Sequence, residues 1–182
     1  MKILIASDIH GDIECCEKTF EAFEREGAER ILLLGDLLYH GPRNNLPCGY
    51  MPKKVIELLN SKKELILAVR GNCDSEVDQM VLDFPILADY AHLSWDGLSI
   101  IATHGHKFSP DSPPPMRQGE ILITGHTHVY ASIDFGNENH YLNPGSVTLP
   151  KNGNPKTYLV YENRSFTLKT FDGKVILEKS FK

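Results

Sequence analysis

The sequence predicts an α/β protein, and two observations lead to that fold class. In the first half of the chain, three short apolar runs are each followed by a polar loop and then by a segment of helical character. Such strand–loop–helix units predict parallel strands joined by right-handed crossovers. Beyond Pro85 the pattern changes to short strands separated by turns. A chain of 182 residues fits a single domain, residues 1–182.

The first unit begins near the N-terminus, where the apolar run Lys2–Ala6 predicts a buried strand. Apolar residues then recur at helical spacing with charged residues between them, which predicts an amphipathic helix packed on the sheet. They are Ile13, Cys16, Phe20 and Phe23. Because Cys16 belongs to this apolar stripe, we expect it in the core.

The second and third units repeat this order. Ile31–Leu34 predicts a buried strand ended by Gly35, and Pro52 suits the first turn of the helix that follows. Leu65–Val69 predicts the third strand. Ser75–Asp78 then predicts a capping box that begins a short helix.

The second half of the chain has the pattern of strands and turns. Asp96-Gly97 lies between two strand-like runs and predicts a hairpin, and Asp172-Gly173 predicts another. The predicted strands are His92–Trp95, Leu98–Thr103, Ile121–Thr124, Tyr130–Phe135, His140–Leu142, Thr157–Tyr161, Ser165–Phe171 and Lys174–Lys179. The proline-rich stretch 111–115 predicts a surface connection.

Composition and charge exclude several classes of function. The net charge of −5 argues against a general nucleic-acid-binding surface, which needs a basic face. No apolar run approaches the length of a membrane span, and the N-terminal run is too short for a signal peptide. The four cysteines form no Cys-x-x-Cys pair and no disulfide-like pattern, which indicates a reducing cytoplasm.

Short polar motifs follow five of the predicted strands, and each has a glycine beside it that lets backbone and ligand approach closely. Their side chains are carboxylates, an amide and imidazoles, which suit Mn, Fe or Zn. A structural zinc site would use thiolates instead. The candidate metal ligands are Asp8, His10, Asp36, Asn72, His104, His126 and His128.

Seven ligands are too many for one tetrahedral ion but enough for two divalent ions that share a carboxylate. Asp36 directly follows a buried strand and is central in the chain order, so it is the expected bridge. A pair of ions lowers the pKa of a bridging water, which makes hydroxide available near neutral pH. The ions also neutralise phosphate oxygens during in-line attack.

The ordered motifs resemble those of the calcineurin-like metallophosphoesterases. From residue 8 to residue 128 they read Asp-x-His, Gly-Asp, Gly-Asn-x-Asp, Gly-His and Gly-His-x-His. Segments 41–44, 70–80 and 143–146 further resemble the small bacterial YfcE-type phosphodiesterases, over almost the whole chain. This resemblance implies a four-layer α/β/β/α sandwich of two mixed sheets, with the site where strand ends meet.

The resemblance also implies how the ligands divide between two ions, with one carboxylate common to both. One ion would be held by Asp8, His10 and His128, the other by Asn72, His104 and His126, with Asp36 shared.

One position departs from the family pattern. Most members have histidine after Gly-Asn, where it contacts the phosphate or the leaving group, whereas this chain has Cys73. Cys73 is therefore a candidate catalytic and substrate-binding residue. Its thiol is a poorer acid than imidazolium, because a thiol titrates around 8.5 and donates weakly. The alternative is a small buried packing residue.

The roles of several further polar residues are less specific. Arg43 is expected to bind phosphate through its planar guanidinium, or to be an exposed loop charge. His40 is a candidate catalytic residue, since its loop could fold back to the site. Asp74 is expected to cap the next helix rather than to bind a ligand, and His106 lies either beside the site or in solvent. Two histidines within strand-like runs are expected to be structural, namely His92 and His140.

These features predict a metal-dependent phosphodiesterase with two divalent ions, Mn as the first expectation and Zn, Fe or Ni as alternatives. The expected substrate is a small-molecule phosphate ester, and a homo-oligomer is left open. Within the enzyme class the alternative is a phosphomonoesterase. Cys73 leaves this alternative open, because protonation of a poor leaving group is harder without a histidine at that position. From another class, the alternative is a protein-binding scaffold like the retromer's phosphoesterase-like subunit. The intact ligand set argues against that alternative.

Overall fold

The computed structural model describes all 182 residues, which form two β-sheets and three α-helices. The helices are α1 (Ile13–Glu26), α2 (Pro52–Ser61) and α3 (Glu76–Gln79). The strands are β1 (Lys2–Ala6), β2 (Arg30–Leu33), β3 (Ile66–Ala68), β4 (Tyr90–Trp95), β5 (Leu98–Thr103), β6 (Ile121–Ile123), β7 (Ala131–Phe135), β8 (Asn139–Asn143), β9 (Thr157–Glu162), β10 (Ser165–Thr170) and β11 (Val175–Ser180). None of the helices combines the length and the hydrophobicity needed to cross a bilayer.

The first sheet has six strands in the order β11-β10-β9-β1-β2-β3. β1, β2 and β3 run parallel, as the three strand–loop–helix units predict. β9 pairs antiparallel with β1, so that Leu4 lies opposite Val160. The C-terminal strands therefore complete the sheet that the N-terminal strands begin.

The second sheet has five strands in the order β4-β5-β6-β8-β7. β4 and β5 form the predicted hairpin at Asp96-Gly97. β5, β6 and β8 run parallel to one another, and β7 pairs antiparallel with β8. Both sheets are therefore mixed.

The side chains of β1 show how the layers pack. Ile3 and Ile5 belong to a cluster of 16 buried residues between the two sheets. Leu4 and Ala6, on the opposite face of the strand, belong to a cluster of 21 buried residues under α1 and α2. Cys16 lies in that second cluster, as the apolar stripe predicts.

The two mixed sheets confirm the predicted fold class, with one difference in detail. No helix follows Gln79 in the chain. On the outer face of the second sheet, Ile101, Leu122 and Tyr141 form a cross-strand row against which Met116 packs. The connection between β5 and β6, which contains the proline-rich stretch, therefore covers part of this face.

Element boundaries follow local sequence signals closely. Lys2–Ala6 and Leu98–Thr103 are strands with the predicted limits, and the other predicted strands differ by one or two residues at an end. α1 begins at Ile13, because the Asp12 side chain accepts a hydrogen bond from the N–H of Cys15. The predicted capping box before α3 is also present.

Candidate metal centre and its cavity

The predicted ligands lie where strands of both sheets end. In the first sheet, Asp8 follows β1 and Asp36 follows β2. In the second sheet, His104 follows β5 and His126 follows β6. The sheets pack face to face, so residues distant in the chain meet, and the N–H of His126 donates to Asp8 Oδ2 over 3.0 Å. Contacts of 3.8 Å or less link all seven predicted ligands into one site.

One cluster of potential metal ligands contains Asp8, His10 and His128. The Nε2 atoms of the two histidines lie 3.2 Å apart, and Asp8 Oδ1 lies 3.2 Å from His128 Nε2. Asp8 Oδ1 is buried and has no hydrogen-bond partner. A divalent cation fits three donors that converge in this way, since it would satisfy the otherwise unpartnered carboxylate oxygen.

A second cluster contains Asn72, His104 and His126. His104 Nε2 lies 3.0 Å from Asn72 Oδ1 and 3.2 Å from His126 Nδ1. An amide oxygen and two imidazole nitrogens that face one another could also hold a cation of the Mn, Fe or Zn type.

Asp36 lies between the two clusters. Its Oδ2 atom is 3.8 Å from His10 Nε2 and 3.5 Å from His104 Nε2. Its Oδ1 atom accepts a hydrogen bond from the N–H of Cys73 over 2.8 Å, which fixes the orientation of the carboxylate. One oxygen of Asp36 therefore faces both clusters.

Backbone carbonyls orient three of the histidines. The Nδ1 atom of His10 lies 2.8 Å from the carbonyl oxygen of Tyr39. In the same way, the Nδ1 atom of His104 lies 2.6 Å from the carbonyl oxygen of Leu34, and that of His128 lies 2.6 Å from the carbonyl oxygen of Leu149. Because a carbonyl oxygen only accepts, each Nδ1 carries the proton and donates. The Nε2 lone pairs are then free to bind a metal.

Charges at the site shift the histidine pKa values in opposite directions. Burial lowers the pKa of His104, but the hydrogen bond with Asp36 and the charges of Asp8 and Asp36 outweigh burial and raise that pKa to about 9. Burial and the neighbouring His104 lower the pKa of His126 to about 4. Because the pKa of His104 is raised, a cation that binds at its Nε2 has to compete with a proton.

Most of the ligand side chains are attached to left-handed backbone. The φ angles are 62° at Asp8, 50° at His10, 55° at Asp36, 65° at His126 and 60° at His128. Residues other than glycine adopt this conformation at a cost of roughly 1–3 kcal/mol each, and such strain is concentrated at functional sites. The spacing of the motifs contains no signal for this conformation.

Two glycines in the motifs allow close approach between chain segments. A Cβ atom at Gly71 would lie 2.1 Å from Asp36 Oδ1, and one at Gly125 would lie 1.8 Å from Ser7 Oγ. Both positions therefore exclude a side chain, which explains why glycine precedes Asn72 and His126.

Asp74 has a different role from the expected helix cap. Ser75 caps α3 instead, in a reciprocal pair with Asp78. The Asp74 carboxylate accepts hydrogen bonds from the N–H groups of Asp36, Leu37 and Gly71, over 2.9, 2.9 and 2.8 Å. Burial raises its pKa to about 6, against the effect of these hydrogen bonds. Asp74 therefore joins the loop of Asp36 to the loop of Asn72.

The clusters open into a cavity of about 620 Å³. Asp36, Asn72 and both histidines of the last motif line it, together with Cys73 and Arg43. Lys151 also lines it, and its backbone N–H donates to the carbonyl oxygen of His128 over 3.0 Å. Two cationic side chains thus border the cavity, as binding of an anion would require. No motif in the sequence marks Lys151, because only the fold brings its loop against the last histidine motif.

Cys73 lies at the cavity wall and not in either core. The amide of Asn72 donates to Cys73 Sγ over 3.2 Å, and Asp36, His10 and Cys73 offer ligand atoms within 4.8 Å of one another. Burial and the nearby Asp36 carboxylate raise the pKa of the thiol above its usual range. The thiol is therefore an even weaker acid than an ordinary cysteine. Asp74 faces backbone amides and does not orient it.

His40 does not line the cavity. Its ring centroid lies 4.8 Å from that of Tyr39 and 5.3 Å from that of Tyr50, and its Nδ1 is buried without a hydrogen-bond partner. Its neighbour Tyr39 does line the cavity. The geometry thus lends no support to the catalytic role that we expected for His40.

The remaining histidines lie outside the two clusters. The His106 ring centroid is 5.4 Å from that of His104, and its Nδ1 has no hydrogen-bond partner. His140 is buried, with one ring nitrogen 2.8 Å from Ser132 Oγ and the other 2.5 Å from Asp134 Oδ1. This cross-strand contact between β7 and β8 fits the structural role expected for His140.

Comparison with protein families assigns most of the chain to one model. Residues 1–165 match the model described as "Calcineurin-like phosphoesterase superfamily domain". The chain is 47% identical over 163 residues to the phosphodiesterase YfcE from Escherichia coli (strain K12). That similarity covers 90% of this chain and 88% of YfcE.

Solved structures give the same result. The structure of YfcE, described as a phosphoesterase from E. coli, matches with a TM-score of 0.96 and 43% identity over 100% of both chains. Wild-type Vps29 from Entamoeba histolytica, complexed with Zn²⁺, matches with a TM-score of 0.57 and 20% identity over 96% of both chains. At that identity, the Vps29 structure is similar in fold alone.

Proposed function

The chain belongs to the calcineurin-like phosphoesterase superfamily, and on that premise we propose that it is a metal-dependent phosphodiesterase. The observation that carries this proposal is the position of Asp36 Oδ2, which faces both histidine-containing clusters within 4 Å of His10 Nε2 and of His104 Nε2. A shared carboxylate between two sets of donors is the arrangement that a two-ion site needs.

In the proposed site, one ion is held by Asp8, His10 and His128, the other by Asn72, His104 and His126, and Asp36 is common to both. The buried and unpartnered Asp8 Oδ1 supports an ion in the first position. The donor set of oxygen and imidazole nitrogen supports Mn, with Zn, Fe or Ni as alternatives. When bound, such ions supply Lewis acidity and activate water for attack on phosphorus.

The chain's own residues orient the metal ligands and attract the substrate. Carbonyl oxygens of the neighbouring loops keep the histidine rings in one tautomer, and the N–H of Cys73 holds the shared carboxylate. Arg43 and Lys151 border the cavity and attract the phosphate, because their charges oppose that of the substrate. Arg43 has a planar guanidinium that can donate to two phosphate oxygens together.

A diester is the proposed substrate class for two reasons. The relative that is 47% identical is a phosphodiesterase. The cavity of about 620 Å³ also has room for a phosphate with two ester groups. The substrate is proposed to be a small molecule, and the four free cysteines support a reducing compartment, the cytoplasm.

The test is a comparison of bis(4-nitrophenyl) phosphate with 4-nitrophenyl phosphate after removal of metal and re-addition of Mn²⁺, Zn²⁺, Fe²⁺ or Ni²⁺. We expect hydrolysis to require metal and the diester to have the higher kcat/KM. Faster hydrolysis of the monoester would favour the phosphomonoesterase alternative. If the protein contains no metal as purified, and hydrolyses neither ester after any of the four metal ions is added, the scaffold alternative would be favoured.

A further inference from the structure

A second cavity, of about 430 Å³, adjoins the first. Tyr39 and Cys73 line both cavities, so they form the wall between them. We call this second cavity the apolar groove, because seven of its 11 lining residues are hydrophobic. It lies between the first turns of α2, at Pro52 and Ile56, and the α3 segment, at Val77.

The rim of the apolar groove is unusually exposed for apolar side chains. Val77 is 68% exposed, and Val81 and Tyr39 are each 42% exposed. An exposed apolar surface of this kind, next to a polar cavity, is a common feature of a binding site. Tyr39 and Tyr50 add aromatic surface to it.

The charged residues of the apolar groove do not match an anion. Asp78 accepts hydrogen bonds from both the N–H and the hydroxyl of Ser75 in the cap of α3, and its negative charge repels phosphate. Lys53 is exposed at the rim and forms no ion pair. The opposite charges leave the groove without a net charge, so its interior favours an uncharged group.

We propose that the apolar groove binds an apolar ester group of a substrate whose phosphate lies in the first cavity, beside the predicted metal ligands. This inference rests on the proposed function, and it names the substrate class as phosphate esters with at least one aryl or similarly sized apolar group. The adjacency of the two cavities at Tyr39 and Cys73 supports it, because an ester group of a phosphate bound in the first cavity then lies beside the groove. The ester group would lie against Tyr39 and Val81.

Phenylphosphonate and methylphosphonate test this without turnover, since a carbon–phosphorus bond is not hydrolysed. Each is titrated into the Mn²⁺-loaded protein by isothermal calorimetry. Burial of a phenyl ring against apolar walls predicts that phenylphosphonate binds about tenfold more tightly. In the double variant Val77→Gln/Val81→Gln, the ratio of the two Kd values is expected to fall to about two.

Met80→Gln is the matched control, because Met80 ends the same helical segment and is 82% exposed but does not line the apolar groove. The control is expected to keep the wild-type ratio of Kd values. A ratio near one in the wild type, an unchanged ratio in the double variant, or an equal fall in Met80→Gln would overturn the proposal. So would a wild-type dimer that the double variant dissociates, since the groove would then bind a second copy of the chain.

The readouts separate this inference from the proposed function. A protein that prefers phenylphosphonate through the apolar groove but hydrolyses no diester would refute the proposed function alone. A protein that hydrolyses diesters but binds both phosphonates equally would refute the apolar groove alone.

Discussion

Asp36 and Asp74 are two buried carboxylates with different roles. Asp36 directs one oxygen toward His10 and His104, where a cation fits. Asp74 directs both oxygens toward backbone N–H groups and so fixes the loop that carries Asp36. The first carboxylate is therefore expected to matter for chemistry, and the second for stability and for the position of the first.

Asp36→Asn is expected to abolish hydrolysis of bis(4-nitrophenyl) phosphate while the protein still folds. Loss of one negative charge leaves two cations under-compensated, so metal content is also expected to fall. Kinetics, elemental analysis and circular dichroism measure the three effects. Asp83→Asn, which changes an exposed carboxylate paired with Lys63, is the control and should behave as wild type. Two bound ions and wild-type rates in Asp36→Asn would show that this carboxylate is not shared.

Asp74→Asn is expected to lower the free energy of unfolding of the metal-free protein by about 2–3 kcal/mol. The Asn side chain has an NH₂ group in place of one carboxylate oxygen, and this group cannot accept a hydrogen bond. At least one of the buried backbone N–H groups that now donate to Asp74 therefore loses its acceptor. Urea denaturation measures the loss. Asp172→Asn, in the exposed β10–β11 turn, is expected to change it by less than about 0.5 kcal/mol. Equal stability of the two variants would refute the anchoring role.

At the scale of elements, α1 is attached to the first sheet by a network centred on Glu26. Lys169 Nζ lies 2.7 Å from Glu26 Oε2, and the Tyr158 hydroxyl donates to Glu26 Oε1 over 2.9 Å. Burial raises the pKa of Glu26, but the hydrogen bonds from Lys169 and Tyr158 outweigh burial and lower that pKa below its usual range. The end of α1 is thus joined to β9 and β10.

The lowered pKa of Glu26 predicts a pH-dependent stability. Because the folded state favours the carboxylate, its contribution is complete above the unfolded pKa of about 4.5 and is lost as the pH falls through the lower folded value. Glu26→Gln is therefore expected to lower Tm by about 2–4 °C at pH 7, and by progressively less below pH 4.5.

Thermal unfolding of both proteins between pH 3 and pH 7 measures this difference. Glu57→Gln on α2 is the control, because Glu57 is exposed and forms no ion pair, and it should leave Tm unchanged. A difference between wild type and Glu26→Gln that persists undiminished at pH 3 would exclude the carboxylate as its cause.

At the scale of the whole molecule, the site depends on how the two sheets face each other. Asp8 follows a strand of the first sheet, whereas His126 and His128 follow a strand of the second. Asp8 and His126 are in contact although 118 residues separate them along the chain. The apolar cluster between the sheets joins these strand ends through side-chain packing that includes none of the predicted metal ligands. The ions are therefore expected to add stability to a fold that already exists.

Chelation is expected to lower Tm without unfolding the protein. A ligand present at about 100 times its Kd stabilises the folded state by about 2.7 kcal/mol, which corresponds to a change of about 5–10 °C for a chain of this size. Calorimetry with EDTA and then with excess Mn²⁺ measures the fall and the recovery. Loss of all secondary structure on chelation would contradict the expectation, because the ions would then be required for folding.

Local signals in the sequence predicted much of this molecule. Periodicity and turn residues identified β1, α1 and the β4–β5 hairpin, since each depends on neighbours only a few residues away. The strand–loop–helix order predicted the parallel set β1–β3 for the same reason. The ligand motifs could be found because each is a short segment after a strand.

Only the tertiary structure decided the features that depend on distant partners. β9 lies beside β1 because its buried residues complete both apolar clusters, and nothing in its own pattern names that neighbour. Asp74 is an anchor because two loops bring three N–H groups to it, and Lys151 reaches the cavity because its loop binds His128. A sequence determines which side chains are available at a strand end, whereas packing between the sheets determines which of them meet.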